Sequence, residues 1–189
     1  MNIVSKNIRA RRSVYPVSYI PKSIDEKVLS EILENANYAP THKLTQPWRF
    51  RILSDAKKKE LGVLLADHYR SQNTGTSFSE IKYNKKLNNP IKSSELISIC
   101  MKRDPMEKIP EWEEIAATAM AVQNMWLTAS QYGLGAYWSS PSFINTESCR
   151  KFLLLEKGER CLGFFYLGHH ELEDGICRRD PVSEKILYL

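Results

Sequence analysis

Proline stands at both ends of a polar loop in this chain, and the pair restricts what can lie on either side. Leu29, Ile32, Leu33 and Ala36 form one apolar helix face that runs into Ala39-Pro40. Proline ends the helix there, because its ring pushes the preceding residue out of the α region. Pro47 then launches Trp48-Arg49-Phe50-Arg51-Ile52-Leu53, whose apolar residues at 48, 50 and 52 alternate as in a half-buried strand. Between the prolines lie Thr41, His42, Lys43, Thr45 and Gln46. A donor-rich loop clamped between ordered elements suits a polar ligand, the alternative being a loop that is simply solvated.

The flanking pattern extends this local picture to the chain. Ser23-Ile24-Asp25-Glu26 reads as a capping box that opens the helix at Ser23, with its end expected near Tyr38. A second helix is expected over residues 55–70, carrying Leu61, Leu64 and Leu65 on one face. Residues 71–90 are polar and poor in apolar anchors, which predicts a mobile excursion with one helical turn around Ser79 to Tyr83. Glu95 to Met101 is a strand candidate. Residues 111–132 form the longest helix, whose Ala116, Ala117, Ala119 and Ala121 permit close approach of another helix. Gly133 reads as that helix's terminator, so Gly133-Leu134-Gly135 is not a nucleotide fingerprint. Strand candidates follow at 134–138 and 161–167. Strands interleaved with helices, few hairpin signals and no linker predict one α/β or α+β domain over residues 1–189.

Bulk properties narrow the function classes. The chain has 189 residues and a net charge of +5, to which Lys57, Lys58, Lys59, Lys82, Lys85 and Lys86 contribute. These lysines read as a solvated face, and no aromatic-interleaved basic stretch predicts nucleic-acid binding. No apolar run is long enough to span a membrane. Cys100, Cys149, Cys161 and Cys177 are scattered, and Cys100 and Cys161 lie in apolar, strand-like runs that predict buried reduced thiols, a cytoplasmic setting and no metal site. His169-His170 would point to opposite faces of a strand and so cannot readily share one ion. No hydrolase elbow, zinc motif or phosphate loop occurs. Arg11-Arg12-Ser13 places two guanidiniums and a hydroxyl together, a donor set that suits a phosphate as readily as a solvated basic turn.

Taken together, Arg11-Arg12-Ser13, Ala39-Pro40-x-His42-x-x-x-Gln46-Pro47-Trp48-x-Phe50, Gly133-Leu134-Gly135-Ala136-Tyr137-Trp138-Ser139-Ser140 and Leu162-Gly163-Phe164-Phe165-Tyr166-Leu167-Gly168 resemble the nitroreductase family. The likeness covers nearly the whole chain, in order, and is nearest to the small single-domain branch. It implies an α+β, three-layer α-β-α fold with a central, mostly antiparallel sheet and a long central helix at a dimer interface. It implies FMN as a tightly bound cofactor and NAD(P)H as co-substrate, in an oxidoreductase that passes a hydride to an organic acceptor such as a nitroaromatic or quinone. A non-catalytic flavin carrier or sensor of the same fold is the alternative.

By resemblance, Arg11, Arg12 and Ser13 contact the FMN phosphate and ribityl region. His42 of the opposing subunit approaches the ring, with Tyr38 and Gln46 nearby. Trp138, Ser139 and Ser140 lie along its other side, where a backbone N–H could meet N5. The segment Thr128, Ala129, Ser130, Gln131, Tyr132 and Gly133 is the one implied for the nicotinamide nucleotide. Arg179 stands where some members, not all, place a further basic ligand. Two departures stand out: Pro141 replaces the glycine usual in relatives, and Tyr38 replaces a basic residue. No side chain is assigned a catalytic acid–base role, because the hydride chemistry belongs to the flavin.

Overall fold

The computed structural model describes residues 1–172 and 179–189, so Cys177 and Arg178 lie outside the described residues. In chain order the elements are α1 (Ile3–Ala10), β1 (Tyr19–Ile20), α2 (Glu26–Ala36), β2 (Trp48–Ile52), α3 (Asp55–Gln72) and α4 (Glu80–Lys92). They continue with β3 (Glu95–Lys102), α5 (Glu111–Gln131), β4 (Leu134–Ser139), α6 (Glu147–Phe152) and β5 (Glu159–His170).

The central strands are apolar on both faces, and this sets the architecture. β3 pairs with β2 and β5, and β5 also pairs with β4 and, at its last residues, with β1, all antiparallel. Ile97 and Ile99 of β3 with Phe165 and Leu167 of β5 pack against Ile32 of α2 and Ala121 and Met125 of α5. Their neighbours Leu96, Cys100, Phe164 and Tyr166 point the other way, into Leu61 and Leu65 of α3 and Phe143 and Cys149. Helices therefore cover both faces, giving the expected three-layer α+β fold. Cys100, Cys149 and Cys161 are buried free thiols. No helix among the described residues is long and apolar enough to cross a membrane.

Three expectations need correction. The N-cap of α2 is Asp25, whose carboxylate accepts from Lys27 N at 2.7 Å, and not Ser23. Ser23 is instead held by β5, its carbonyl 3.2 Å from His169 Nε2. The segment 71–90 is largely helical: α3 runs to Gln72 and α4 occupies thirteen residues. Its anchors are aromatic, with Tyr69, Phe78 and Tyr83 in ring contact and Arg70 lying 4.4 Å above Tyr83. Lys58 is buried rather than solvated, donating to the carbonyls of Ser93 and Ser94 at 3.1 and 2.9 Å beyond the end of α4.

α4 can lie this close to α3 because residue 62 is glycine. A Cβ there would sit 2.3 Å from the Leu87 carbonyl oxygen. Gly62→Ala is expected to destabilise the protein by about 1–3 kcal/mol through overpacking, visible as a Tm lowered by about 2–4 °C per kcal/mol. An unchanged Tm would mean that the two helices do not meet at this point.

Candidate functional site

The amino-terminal arginines are sewn to the end of α5 and to β4. Asn2 caps α1, accepting from Ser5 N at 2.8 Å. Asn7 of α1 donates to Leu127 O at 3.2 Å. After α1 ends, Trp126 Nε1 donates to Arg12 O at 3.1 Å, and the Arg11 guanidinium lies 4.6 Å over the Trp126 ring. Arg12 Nη1 turns back to the carbonyls of Arg9 and Arg11 and so caps the helix. Ser13 then bridges Ala136, and Val14 N donates to Ala136 O at 3.0 Å. Tyr19 fixes this strand from behind, its hydroxyl 2.8 Å from Val14 O and 3.1 Å from Tyr166 O. The outcome is a cavity of about 700 Å³ lined by Arg12, Ser13, Ser130, Gln131, Gly133 and His170.

A β-bulge shapes the segment after β4. The β3–β5 register shifts between Ile99 and Cys100, where Ile99 opposes Gly163 and Cys100 opposes Cys161, leaving Leu162 as the extra residue. The Leu162 carbonyl accepts from Ser140 Oγ at 2.7 Å and from Trp138 Nε1 at 3.3 Å. Gly163 is required beside it, since a Cβ would lie 2.3 Å from Trp138 Nε1. The bulge thus holds residues 138–140 in place. Ser139 and Pro141 line a second cavity, of about 230 Å³, whose other walls include Lys82, Lys85, Lys86, Asn89 and Tyr166. Burial holds the Lys86 amine below its ordinary value.

The loop between the prolines faces elsewhere. Lys43, Leu44 and Gln46 all adopt left-handed backbone at φ 50°, 54° and 43°, a strained run for residues that are not glycine. Thr41 Oγ1 braces it, 3.1 Å from Thr45 Oγ1 and 3.2 Å from Gln46 N. His42 Nδ1 lies 2.6 Å from Glu113 Oε2 of α5. Both line a third cavity, of about 330 Å³, with Pro40, Trp112 and Met120.

A family profile described as Nitroreductase family matches residues 8–169. The chain belongs to that family. This nitroreductase is 26% identical over 179 residues to the Bacillus subtilis (strain 168) protein named "Putative NAD(P)H nitroreductase YfhC", spanning 94% of this chain and 90% of the relative. Its fold is similar to that of a nitroreductase-like family protein from Bacillus cereus, with a TM-score of 0.78 at 25% identity over 100% of this chain and 97% of the other. A Desulfovibrio desulfuricans protein crystallised in complex with FMN matches with a TM-score of 0.76 at 25% identity, over 100% and 98% of the two chains.

Within this nitroreductase some of the proposed contact residues line the three cavities, whereas Arg11, Trp138 and Ser140 line none of them. Arg12, Ser13, Ser130, Gln131 and Gly133 share the first, Ser139 lines the second and His42 the third. Tyr38 is 76% exposed and, like Gln46, lines none of them. Thr128 spends its hydroxyl on Asn124 O and Asn35 Nδ2, both at 2.9 Å. Ala129 is buried in the core and offers a ligand no side-chain surface. Tyr132 donates to Glu31 Oε2 at 2.5 Å, which raises its pKa. Gly133 takes φ +66° and terminates α5, as its type implies. His169 and His170 diverge: the first bonds Ser23 O, while the second accepts from Leu172 N at 3.2 Å.

Lys82, Lys85 and Lys86, which the sequence reads as a solvated face, line the second cavity together with Asn89. Their spacing of three, four and seven residues is one face of a helix, a signal masked once the segment is read as loop.

Tyr19 links stability to the site and carries a pH signature. Burial raises the pKa of both Tyr19 and Tyr166 far above the ordinary value, so the folded chain keeps these hydroxyls protonated. Below about pH 10 both are neutral in the folded and unfolded chains, and stability is unaffected. Above it the unfolded chain ionises first, so stability should fall by about 1.4 kcal/mol per pH unit for each tyrosine. Tyr19→Phe is expected to cost about 1–3 kcal/mol at neutral pH, by stripping two buried carbonyls of a donor. It should also remove one tyrosine's share of the alkaline slope, measured from urea midpoints across that range. An unaltered slope would contradict the assigned burial.

Proposed function

We propose that this nitroreductase is an FMN-dependent oxidoreductase that takes a hydride from NAD(P)H and reduces an organic acceptor such as a nitroaromatic or quinone. The observation that carries this reading is the convergence of Arg12, Ser13, Ser130 and Gln131 around one cavity of about 700 Å³, a volume within the usual range for cofactor sites. A relative of 25% identity crystallised with FMN, and one of 26% identity named for NAD(P)H, support it.

The donor set fits the group. Among the described residues, neither this cavity nor the lysine cavity is lined by a carboxylate, so an anionic ligand meets guanidinium, ammonium, hydroxyl and amide donors. Arg12 and Ser13, with Arg11 beside them, would hold the phosphate. Ser139 and Ser140, the latter bonded to the Leu162 carbonyl, would border the ring. Lys82, Lys85 and Lys86 set a positive field next to Ser139, and negative charge arriving there would offset the unfavourable burial of Lys86. Bound FMN supplies the two-electron hydride chemistry that no side chain here can perform.

The working form is a homodimer in which His42 of one copy meets the ring held by the other. Ile3, Val4 and Ile8 of α1 and Trp112 and Met120 of α5 are exposed apolar residues suited to burial against a second copy.

Anaerobic titration tests the reading. The purified protein is expected to carry flavin that bleaches with NADPH or NADH and recovers its colour when a quinone or nitroaromatic is added. Arg11→Ala combined with Arg12→Ala should weaken FMN at least roughly tenfold per lost contact. A flavin that stays oxidised under both nucleotides, or a double variant that keeps full FMN occupancy, would contradict the assignment.

A further inference from the structure

The first turn of α5 carries three carboxylates with different partners. Glu111 pairs with Arg160 at 2.9 Å, and Glu114 is buried against Arg103 and the Asp104 N–H. Glu113 alone turns to a histidine, His42 Nδ1, at 2.6 Å across 71 residues of sequence. An exposed pair of this kind contributes little to stability, and His42 and Glu113 keep side-chain exposures of 50% and 26%. The loop it tethers is strained at Lys43, Leu44 and Gln46, a state that persists only when the surroundings enforce it and that clusters at working sites.

We propose that Glu113 is a positioning residue for His42. Its carboxylate takes Nδ1, which fixes the neutral ring as the Nδ1–H tautomer and leaves Nε2 as the acceptor beside the cavity lined by Pro40, Trp112 and Met120. In that tautomer the group Nε2 receives is a hydrogen-bond donor, an N–H or O–H. The catalytic consequence rests on the flavin-oxidoreductase reading, in which His42 faces the ring. The tautomer itself does not.

Two readouts on Glu113→Ala, with Glu113→Gln as the conservative variant, separate the possibilities. By 15N NMR the wild-type His42 is expected as the Nδ1–H tautomer, the Ala variant as mainly Nε2–H, and the Gln variant in between. On flavin-saturated protein, the rate of acceptor reduction should fall about 10–100-fold in the Ala variant, the range for lost outer-shell partners, and be partly rescued by Gln. A tautomer unchanged in Glu113→Ala would overturn the positioning role whether or not flavin is present. An unchanged acceptor rate in that variant, with His42→Ala slow, would overturn it too. Wild-type protein that binds no flavin would instead overturn the oxidoreductase reading, and the tautomer shift would still decide the role of Glu113.

Discussion

Everything in this molecule hangs on two strands that are apolar on both faces. β3 and β5 send Ile97, Ile99, Phe165 and Leu167 one way and Leu96, Cys100, Phe164 and Tyr166 the other. Such strands are stable only when both faces are covered, so α2 and α5 must pack on one side and α3 and α6 on the other. With both faces filled by side chains, polar ligands are excluded from the middle of the sheet and are left to its ends and edges.

The polar chemistry lies there. At one end, Ser13 and Val14 add to the start of β4 and bring the arginines to the C-terminal turn of α5, through Trp126 and Tyr19. At the other end of β4, the bulge at Leu162 withdraws one carbonyl from the ladder and spends it on Trp138 and Ser140. α4 brings its lysine face against that segment because Gly62 lets it approach. The His42 loop is separate, tied to α5 through Glu113. One chain thus holds three cavities that share no lining residue, and the proposed second copy is what would bring the His42 loop to the arginine cavity.

Those parts of the fold with a strong apolar period were legible in the sequence. The helix from Glu111, the strand at Glu95 and the terminator Gly133 lie where their residues place them. The Pro40 and Pro47 boundaries also hold, although α2 closes at Ala36 and a turn covers residues 37–39. What was not legible depends on distant contacts. α4 is held by Phe78, Tyr83 and Leu87 meeting α3, and its own composition is that of a loop. The capping residue of α2 was misassigned because two candidates stand two positions apart, and the bond from His169 to Ser23 O lies 146 residues away. The lysine face of the second cavity fell with the helix that carries it. Arg11-Arg12-Ser13 was legible as a donor cluster, but its attachment to Trp126 was not.

We propose that flavin is held by an assembly of two chains. Analytical ultracentrifugation followed at the flavin absorbance, over a dilution series of the loaded protein, tests it most directly. Flavin should sediment with the dimer and be released as the dimer dissociates. A monomer that sediments with its flavin would contradict it.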